Sequence, residues 1–214
     1  LVLLVVMVAA GAVAQSLSDF PVPTAGASVA GITAGPDRNI WFTEQRGGRI
    51  GRLTPTGVVT EFPLAETGGF LRGITAGLDG SLWFTLLVGR IGRITPSGEI
   101  TEFSIPANPA EPIEIAAGAD GNLWFTDYYN RIGRIQAGGI PVGLVKLFDI
   151  PTSESSPRGI ALGPDGNLWF TEQAKDQIGR ITPLGQITEF ALPASGRGPL
   201  GLTAGPDGNV WFTE

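Results

Sequence analysis

"GPDGNLWFTE", Gly163–Glu172, returns almost letter for letter as "GPDGNVWFTE", Gly205–Glu214. The tryptophan of this stretch is one of five, Trp41, Trp83, Trp124, Trp169 and Trp211, spaced by 42, 41, 45 and 42 residues. A second series, Phe20, Phe62, Phe103, Phe148 and Phe190, repeats the same four intervals, 42, 41, 45 and 42. Two independent markers with one period define a repeat of about 42 residues. The third interval is longer in both series. The extra residues therefore lie between Trp124 and Phe148, in "QAGGIPVGLVK", Gln136–Lys146.

One unit reads clearly from Arg158 to Pro193. "GIALG" is a short strand, "PDGN" a turn and "LWFTE" a second strand. "QIGRITP" is a third strand, and "ITEFALP" follows a short turn as the fourth. Runs of β-branched and aromatic residues between Gly, Pro, Asp and Asn clusters carry these assignments. Asp165-Gly166 suits a tight hairpin because glycine tolerates positive φ. No stretch sustains a 3.6-residue apolar period, so essentially no helix is expected. Four antiparallel strands per repeat is the arithmetic of a β-propeller blade. In "NLWFTE" both alternating sets of side chains are bulky or apolar, as a blade packed between two neighbours requires. An elongated β-solenoid is the alternative, but its rungs are shorter and contain fewer hairpins.

The fold class is therefore all-β: a propeller of four-stranded antiparallel blades, with four complete blades and half of a fifth. "SDFPVP", Ser18–Pro23, matches a fourth strand but precedes the first complete unit. A lone outer strand at that place is expected to close the ring by pairing with the last blade, which removes an open edge. The ring is thus expected to be incomplete in these 214 residues.

Composition limits the functions open to such a ring. Apolar residues make up 43% and charged residues 16%, so there is ample surface to bury despite 32 Gly and 17 Pro. Disorder is excluded on that balance. The net charge is −6, the isoelectric point is about 4.7, and no basic run occurs, which argues against nucleic-acid binding. Cysteine and histidine are both absent, which removes disulfides, thiolate metal sites and the commonest general base. The opening stretch "LVLLVVMVAAGAVAQS", Leu1–Ser16, is apolar and ends in Ala12-Val13-Ala14, like the core and cleavage site of a secretory signal. At about 14 residues it is short for a membrane span, which needs roughly 20. Residues 1–15 are accordingly read as a signal peptide and 16–214 as the propeller. Export is expected, with no stable membrane span and a monomeric state.

In a propeller the first strand of each blade lines the central channel. The loops between strands two and three share one face with the connections between blades, and the "PDG" turns lie on the other. The turn aspartates Asp37, Asp79, Asp120, Asp165 and Asp207 are therefore read as turn residues, one per blade. The repeated "IGR" arginines Arg52, Arg93, Arg134 and Arg180 are read as structural. They are expected to cap strand edges or to pair with Glu61, Glu102 and Glu189 of "TEF". The opposite face varies between repeats, which is where a site is built. After "WFT" stand Glu44, Leu86, Asp127, Glu172 and Glu214, and Asp127 is followed by Tyr128 and Tyr129. Before the first strands stand Ala30, Arg72, Ile113 with Glu114, Arg158 and Leu200. The candidate rim is thus Glu44, Arg72, Glu114, Asp127, Tyr128, Tyr129, Arg158 and Glu172. A mixed polar and aromatic rim suits a small polar molecule or a glycan.

"GPDGNLWFTE", "IGRITP", "ITEF" followed by "LP", and "PRGI" (Pro157–Ile160) together resemble the virginiamycin B lyase (streptogramin lyase) family, from about Ser18 to Glu214. The resemblance implies a seven-bladed ring. It also implies a Mg²⁺-dependent C–O elimination that inactivates an antibiotic by opening the ester of a cyclic streptogramin B depsipeptide. In such a reaction a base takes the proton α to the ester carbonyl, the enolate-like charge is stabilised, and the carboxylate leaves. The family's base is histidine, carried with a glutamate at "P-H-G-I" turns of the late repeats. The matching turns here carry Ala30, Arg72, Ile113, Arg158 and Leu200, so no catalytic residue is transferred and this stretch alone is expected to be inert. Two other readings remain: a secreted, non-catalytic binding or scaffold propeller, and a lactonase-like propeller holding Ca²⁺ or Mg²⁺ with carboxylates at the channel mouth. An export signal weighs against an enzyme that meets its antibiotic inside the cell.

Overall fold

The computed structural model of the chain describes residues 3–7, 17–65 and 70–214. Strands β1 (Leu3–Met7) and β2 (Leu17–Pro21) precede four complete sheets. Blade one is β3 (Val29–Ala34), β4 (Ile40–Glu44), β5 (Arg49–Leu53) and β6 (Val59–Pro63). Blade two is β7 (Leu71–Ala76), β8 (Leu82–Leu86), β9 (Arg90–Ile94) and β10 (Ile100–Ser104). Blade three is β11 (Pro112–Ala117), β12 (Leu123–Asp127), β13 (Arg131–Ile135) and β14 (Val145–Asp149). Blade four is β15 (Pro157–Leu162), β16 (Leu168–Glu172), β17 (Gln177–Ile181) and β18 (Ile187–Ala191). The hairpin β19 (Leu202–Ala204) and β20 (Val210–Phe212) follows. Each sheet is antiparallel in chain order, the propeller meander read from the repeat. The one helical element among the described residues is a 3₁₀ turn at Gln173–Lys175. The longer third interval falls in the β13–β14 connection, residues 136–144, where the expected insertion lies.

The two periodic markers meet inside each blade. Trp41 stacks on Phe62 with ring centroids 5.5 Å apart, and the pairs Trp83–Phe103, Trp124–Phe148 and Trp169–Phe190 repeat this at 5.5–5.6 Å. Offset stacking of this kind adds to the burial of the rings. On the other strand face, Phe42 lies over Gly51, so a Cβ there would enter the ring; the same holds for Phe84 over Gly92 and Phe125 over Gly133. The glycine of "IGR" is therefore fixed by the phenylalanine of "WFT". Strands β8 and β12 are buried at every position, as a strand sandwiched between two blades must be.

The "PDG" aspartates are turn residues with a second task. Asp79 Oδ1 accepts from Ser81 N at 3.2 Å and from the Trp83 indole Nε1 at 3.1 Å, and Arg93 Nε donates to Oδ2 at 2.8 Å. Burial opposes its ionisation, but these hydrogen bonds outweigh it and hold its pKa below the ordinary value. The expected partners of the "IGR" arginines are thereby corrected. Arg52, Arg93, Arg134 and Arg180 lie over the blade tryptophans at 5.5–5.9 Å. Arg93, Arg134 and Arg180 pair with turn aspartates, not with the "TEF" glutamates. Strand alternation is the reason. Trp41 stands opposite Arg52, whereas Glu61 stands opposite Gly51 on the other face. The glutamates Glu61 and Glu102 take the preceding arginines, Arg49 and Arg90.

Strand β2 occupies the outer-strand place beside blade one. Phe20 packs on Gly57 as Phe62 packs on Gly98 and Phe148 on Gly185. Thr24 N donates to Glu61 Oε1 at 2.8 Å, as Thr152 N donates to Glu189 Oε1 at 2.9 Å. Its pairing partner among the described residues is β1, antiparallel from Leu3↔Pro21 to Met7↔Leu17, where the last blade of the ring was expected. An unpaired edge accepts any strand that satisfies its N–H and C=O groups, and "LLVVM" is rich in β-branched and apolar residues. The expected cleavage motif, Ala12–Ala14, lies outside the described residues.

Candidate functional site at the channel mouth

Strands β3, β7, β11, β15 and β19 contact one another from blade to blade and line the central channel. The first four begin with an irregularity. In blades one to four the register shifts between Val29 and Ile32, Leu71 and Ile74, Pro112 and Ile115, and Pro157 and Ile160. Such a bulge leaves backbone groups without ladder partners. The threonine of "WFT" supplies them. Thr43 Oγ1 accepts from Gly31 N at 2.8 Å and donates to Arg72 O of the next blade at 2.7 Å. Thr85 joins Gly73 N to Ile113 O, Thr126 joins Glu114 N to Arg158 O, and Thr171 joins Gly159 N to Leu200 O. Four buried hydroxyls thus fix the channel-mouth residues of adjacent blades. The sequence reading did not assign them this role, although a threonine recurring at a strand end was visible.

The glycine at the third residue of β3, β7 and β15, Gly31, Gly73 and Gly159, is a close-approach position. A Cβ on Gly31 would stand 2.5 Å from Arg72 O, and one on Gly159 would stand 2.5 Å from Leu200 O. Blade three alone among the complete repeats departs from a small residue here and carries Glu114. Its N–H···Thr126 bond is 3.2 Å, against 2.8, 3.0 and 2.9 Å at Gly31, Gly73 and Gly159. The Glu114 carboxylate lies over Gly73 of the preceding blade, 2.7 Å from where a Cβ would sit. Burial pushes its pKa up, and the Arg72 guanidinium opposes that shift.

Arg72, Glu114 and Arg158 line one cavity of about 540 Å³, together with Gln173, Leu200 and Leu202. Successive blades therefore present a cation, a carboxyl and a cation. Arg158 Nε donates to Gln173 Oε1 at 2.9 Å, and its guanidinium lies 5.4 Å from the Tyr128 ring centroid. Tyr128 and Tyr129 meet edge to face at 5.7 Å and line an adjoining recess of about 560 Å³ with Asn130, Glu154 and Lys175. The loop after strand two and the connection between blades share this face, as propeller geometry requires. Gln173 and Lys175 were missed by sequence reading. They follow the repeated motif and show no pattern of their own.

The remaining rim candidates lie elsewhere. Glu44, Asp127 and Glu172 are all fully buried, 0% exposed, beneath the connecting loops. Each is the last residue of a second strand, flanked by the third strand and covered by the loop that follows, so it cannot face a ligand at the rim. Asp127 is satisfied by Arg131 at 2.6 Å and by the amides of Glu111 and Tyr129. Burial and the neighbouring Glu61 push Glu44 up to about 7, against Arg49. Burial and Glu189 push Glu172 up to about 8. Glu214 pairs with Arg197 at 3.1 Å.

Comparison with known proteins extends this picture. The family model described as the virginiamycin B lyase family matches residues 8–142 and 130–214. No curated protein sequence matches the chain. Among solved structures, a virginiamycin B lyase from Staphylococcus aureus is 41% identical with a TM-score of 0.88, over 93% of this chain and 67% of the lyase. A catalytically inactive form of that lyase, solved with quinupristin, matches equally, at 41% identity and a TM-score of 0.88, over the same 93% and 67%. A gluconolactonase from Xanthomonas campestris, 15% identical with a TM-score of 0.66 over 87% of this chain and 69% of its own, shares the fold alone. This chain spans about two thirds of the length of the lyases, 67%. With its repeat, its blade order and these matches, the chain belongs to the virginiamycin B lyase family.

Proposed function

We propose that this chain forms the ligand-binding wall of a streptogramin lyase propeller, a protein that opens the ester of a cyclic streptogramin B-type depsipeptide by C–O elimination. The observation that carries this reading is the cavity shared by Arg72, Glu114 and Arg158 at the channel mouth. A cyclic depsipeptide presents ester and amide carbonyls, for which guanidinium groups are matched donors. Its amide N–H groups suit the Glu114 carboxylate, and an aromatic substituent suits the tyrosine recess beside Arg158.

The chain's share is binding and orientation. With no histidine in its 214 residues, it does not supply the base that the family resemblance assigns to the reaction. Nor does its mouth fit Mg²⁺. Glu114 stands between two arginines, and among the described residues no three His, Cys, Asp or Glu side chains come together. The same composition of the mouth disfavours a lactonase of the carboxylate-bound cation type. The lack of histidine gives a second reading weight: a propeller that captures the same ligands without turning them over. Export directed by residues 1–15 belongs to the proposal. No helix among the described residues is long and apolar enough to cross a membrane.

Titration of the protein with quinupristin, followed by calorimetry, tests the reading. Binding is expected, and Arg158→Ala is expected to weaken it roughly 10- to 100-fold, the loss of one charged hydrogen-bonding partner. Unchanged affinity in both Arg72→Ala and Arg158→Ala would remove the proposal. Chromatography of the incubated ligand separates the two readings, because elimination linearises the ring without changing its mass.

A further inference from the structure

Every blade places three side chains together on one face: the last residue of strand two, the first of strand three and the third of strand four. Glu44 stands opposite Arg49, and Gly51 opposite Glu61. The corresponding sets are Leu86, Arg90 and Glu102 in blade two, and Asp127, Arg131 and Leu147 in blade three. In blade four the set is Glu172, Gln177 and Glu189. Blades two and three balance one arginine against one carboxylate, at 3.0 Å for Arg90–Glu102 and 2.6 Å for Arg131–Asp127. Blade one has two carboxylates and one arginine: Arg49 and two hydrogen bonds from Thr24, at 2.8 and 2.7 Å, serve Glu61, and the Glu44 oxygens accept no hydrogen bond. Blade four has two carboxylates and no arginine.

The oxygens of blade four consequently face one another. Glu172 is 0% exposed and neither of its carboxylate oxygens accepts a hydrogen bond. Gln177 Oε1 is buried on the same face, also without a donor. Glu189 meets Glu172 and receives the Thr152 amide at 2.9 Å on Oε1. Ser155 lies beside Glu172, and its Oγ is 2.8 Å from Asn130 Oδ1. The nearby cations are directed elsewhere: Lys175 to Glu154, Arg158 to Gln173 and Arg180 to Asp165 on the opposite strand face.

We propose that blade four binds a calcium ion through Glu172, Glu189, Gln177 Oε1 and Ser155 Oγ, at the place where an arginine serves the other blades. Two carboxylates balance the charge of a divalent ion, and the neutral amide and hydroxyl oxygens enlarge the shell. All the donors are hard oxygens in an irregular arrangement. That suits Ca²⁺, which takes 6–8 oxygens flexibly, better than Mg²⁺, which demands an octahedron, or Zn²⁺, which prefers nitrogen and sulfur. With two acidic ligands, the set is distinct from a cluster of three acidic or imidazole groups, which no described residues form. It lies beneath the rim and is independent of the channel-mouth cavity.

The test uses the whole chain, stripped with EDTA and titrated with CaCl₂ at constant ionic strength and pH, followed by calorimetry and thermal unfolding. One site is expected, and at about 100-fold excess over Kd a rise in Tm of about 5–10 °C for a chain of this size. Glu172→Gln should weaken Ca²⁺ binding at least about tenfold, by removing one of its two charged ligands. Gln177→Arg, which restores the arginine of the other blades, should abolish the response while keeping the Tm in EDTA at or above that of the unaltered chain. Identical unfolding in Ca²⁺, Mg²⁺ and EDTA overturns the proposal. So does a Ca²⁺ response that survives unchanged in both variants, or a stability that follows pH and not Ca²⁺, the mark of a shared proton. Should Gln177→Arg fail to fold, calorimetry on Glu189→Gln decides in the same way.

Discussion

Replacing Thr126 with valine tests how the channel mouth is held. Thr126 is wholly buried, 0% exposed. Its hydroxyl accepts from Glu114 N at 3.2 Å and donates to Arg158 O at 2.7 Å, so one oxygen joins two candidate-site residues on neighbouring blades. Valine matches threonine in shape, which leaves no cavity. The cost comes from two partly buried backbone groups, an amide and a carbonyl, each losing its Thr126 partner. At roughly 1–3 kcal/mol for each such group, and with the longer amide bond near the lower figure, the expected destabilisation is about 2–4 kcal/mol. Urea unfolding monitored by tryptophan fluorescence reads it directly. Thr126→Ser keeps the hydroxyl and loses one methyl, about 1 kcal/mol by burial, so serine should stand clearly above valine. Because Arg158 and Glu114 move with their backbones, quinupristin affinity should fall in the valine protein and recover in the serine protein. A valine variant within about 0.5 kcal/mol of the unaltered chain, the scatter of a neutral substitution, would refute the role given to these bridging hydroxyls.

Glu44 gives a pH dependence. Its folded pKa of about 7 exceeds the ordinary 4.5, so the folded state holds a proton that the unfolded state has lost. Stability from this group is therefore full below about 4.5, falls as pH rises, and is lost above about 7, on the order of 2–3 kcal/mol in all. Glu44→Gln should flatten that interval in urea titrations at pH 5 and pH 8, and an unaltered slope would contradict it. Arg38 holds φ at 66° in the turn where Gly80, Gly121 and Gly166 hold 76–79°. Arg38→Gly should raise stability by about 1 kcal/mol by relieving the left-handed conformation, and a loss in thermal unfolding would count against this. Glu114→Gly restores the residue of the other blades. It should leave stability equal or higher while weakening ligand binding about tenfold or more, and calorimetry showing full affinity would exclude Glu114 from the site.

The sequence by itself determined the blade. Trp41 with Phe62, and their counterparts, share one period because they stack within one sheet, and the "PDG" turns were readable from local conformational preference. Local chemistry of this kind repeats with the chain. The pairing of "IGR" arginines with aspartates followed from strand parity, a rule available in the sequence, since Arg52 and Glu61 fall on opposite faces. What only the tertiary structure decided is depth. Glu44, Asp127 and Glu172 end a strand whose last residue the following loop covers, whereas Arg72, Glu114 and Arg158 begin strands at the channel, where the blades converge. Both sets are polar residues at strand ends, and no linear pattern separates them. The threonine bridges and the uncompensated oxygens of blade four belong to the same class, because each depends on which groups of a neighbouring strand or blade come within hydrogen-bonding distance, and that is a property of packing.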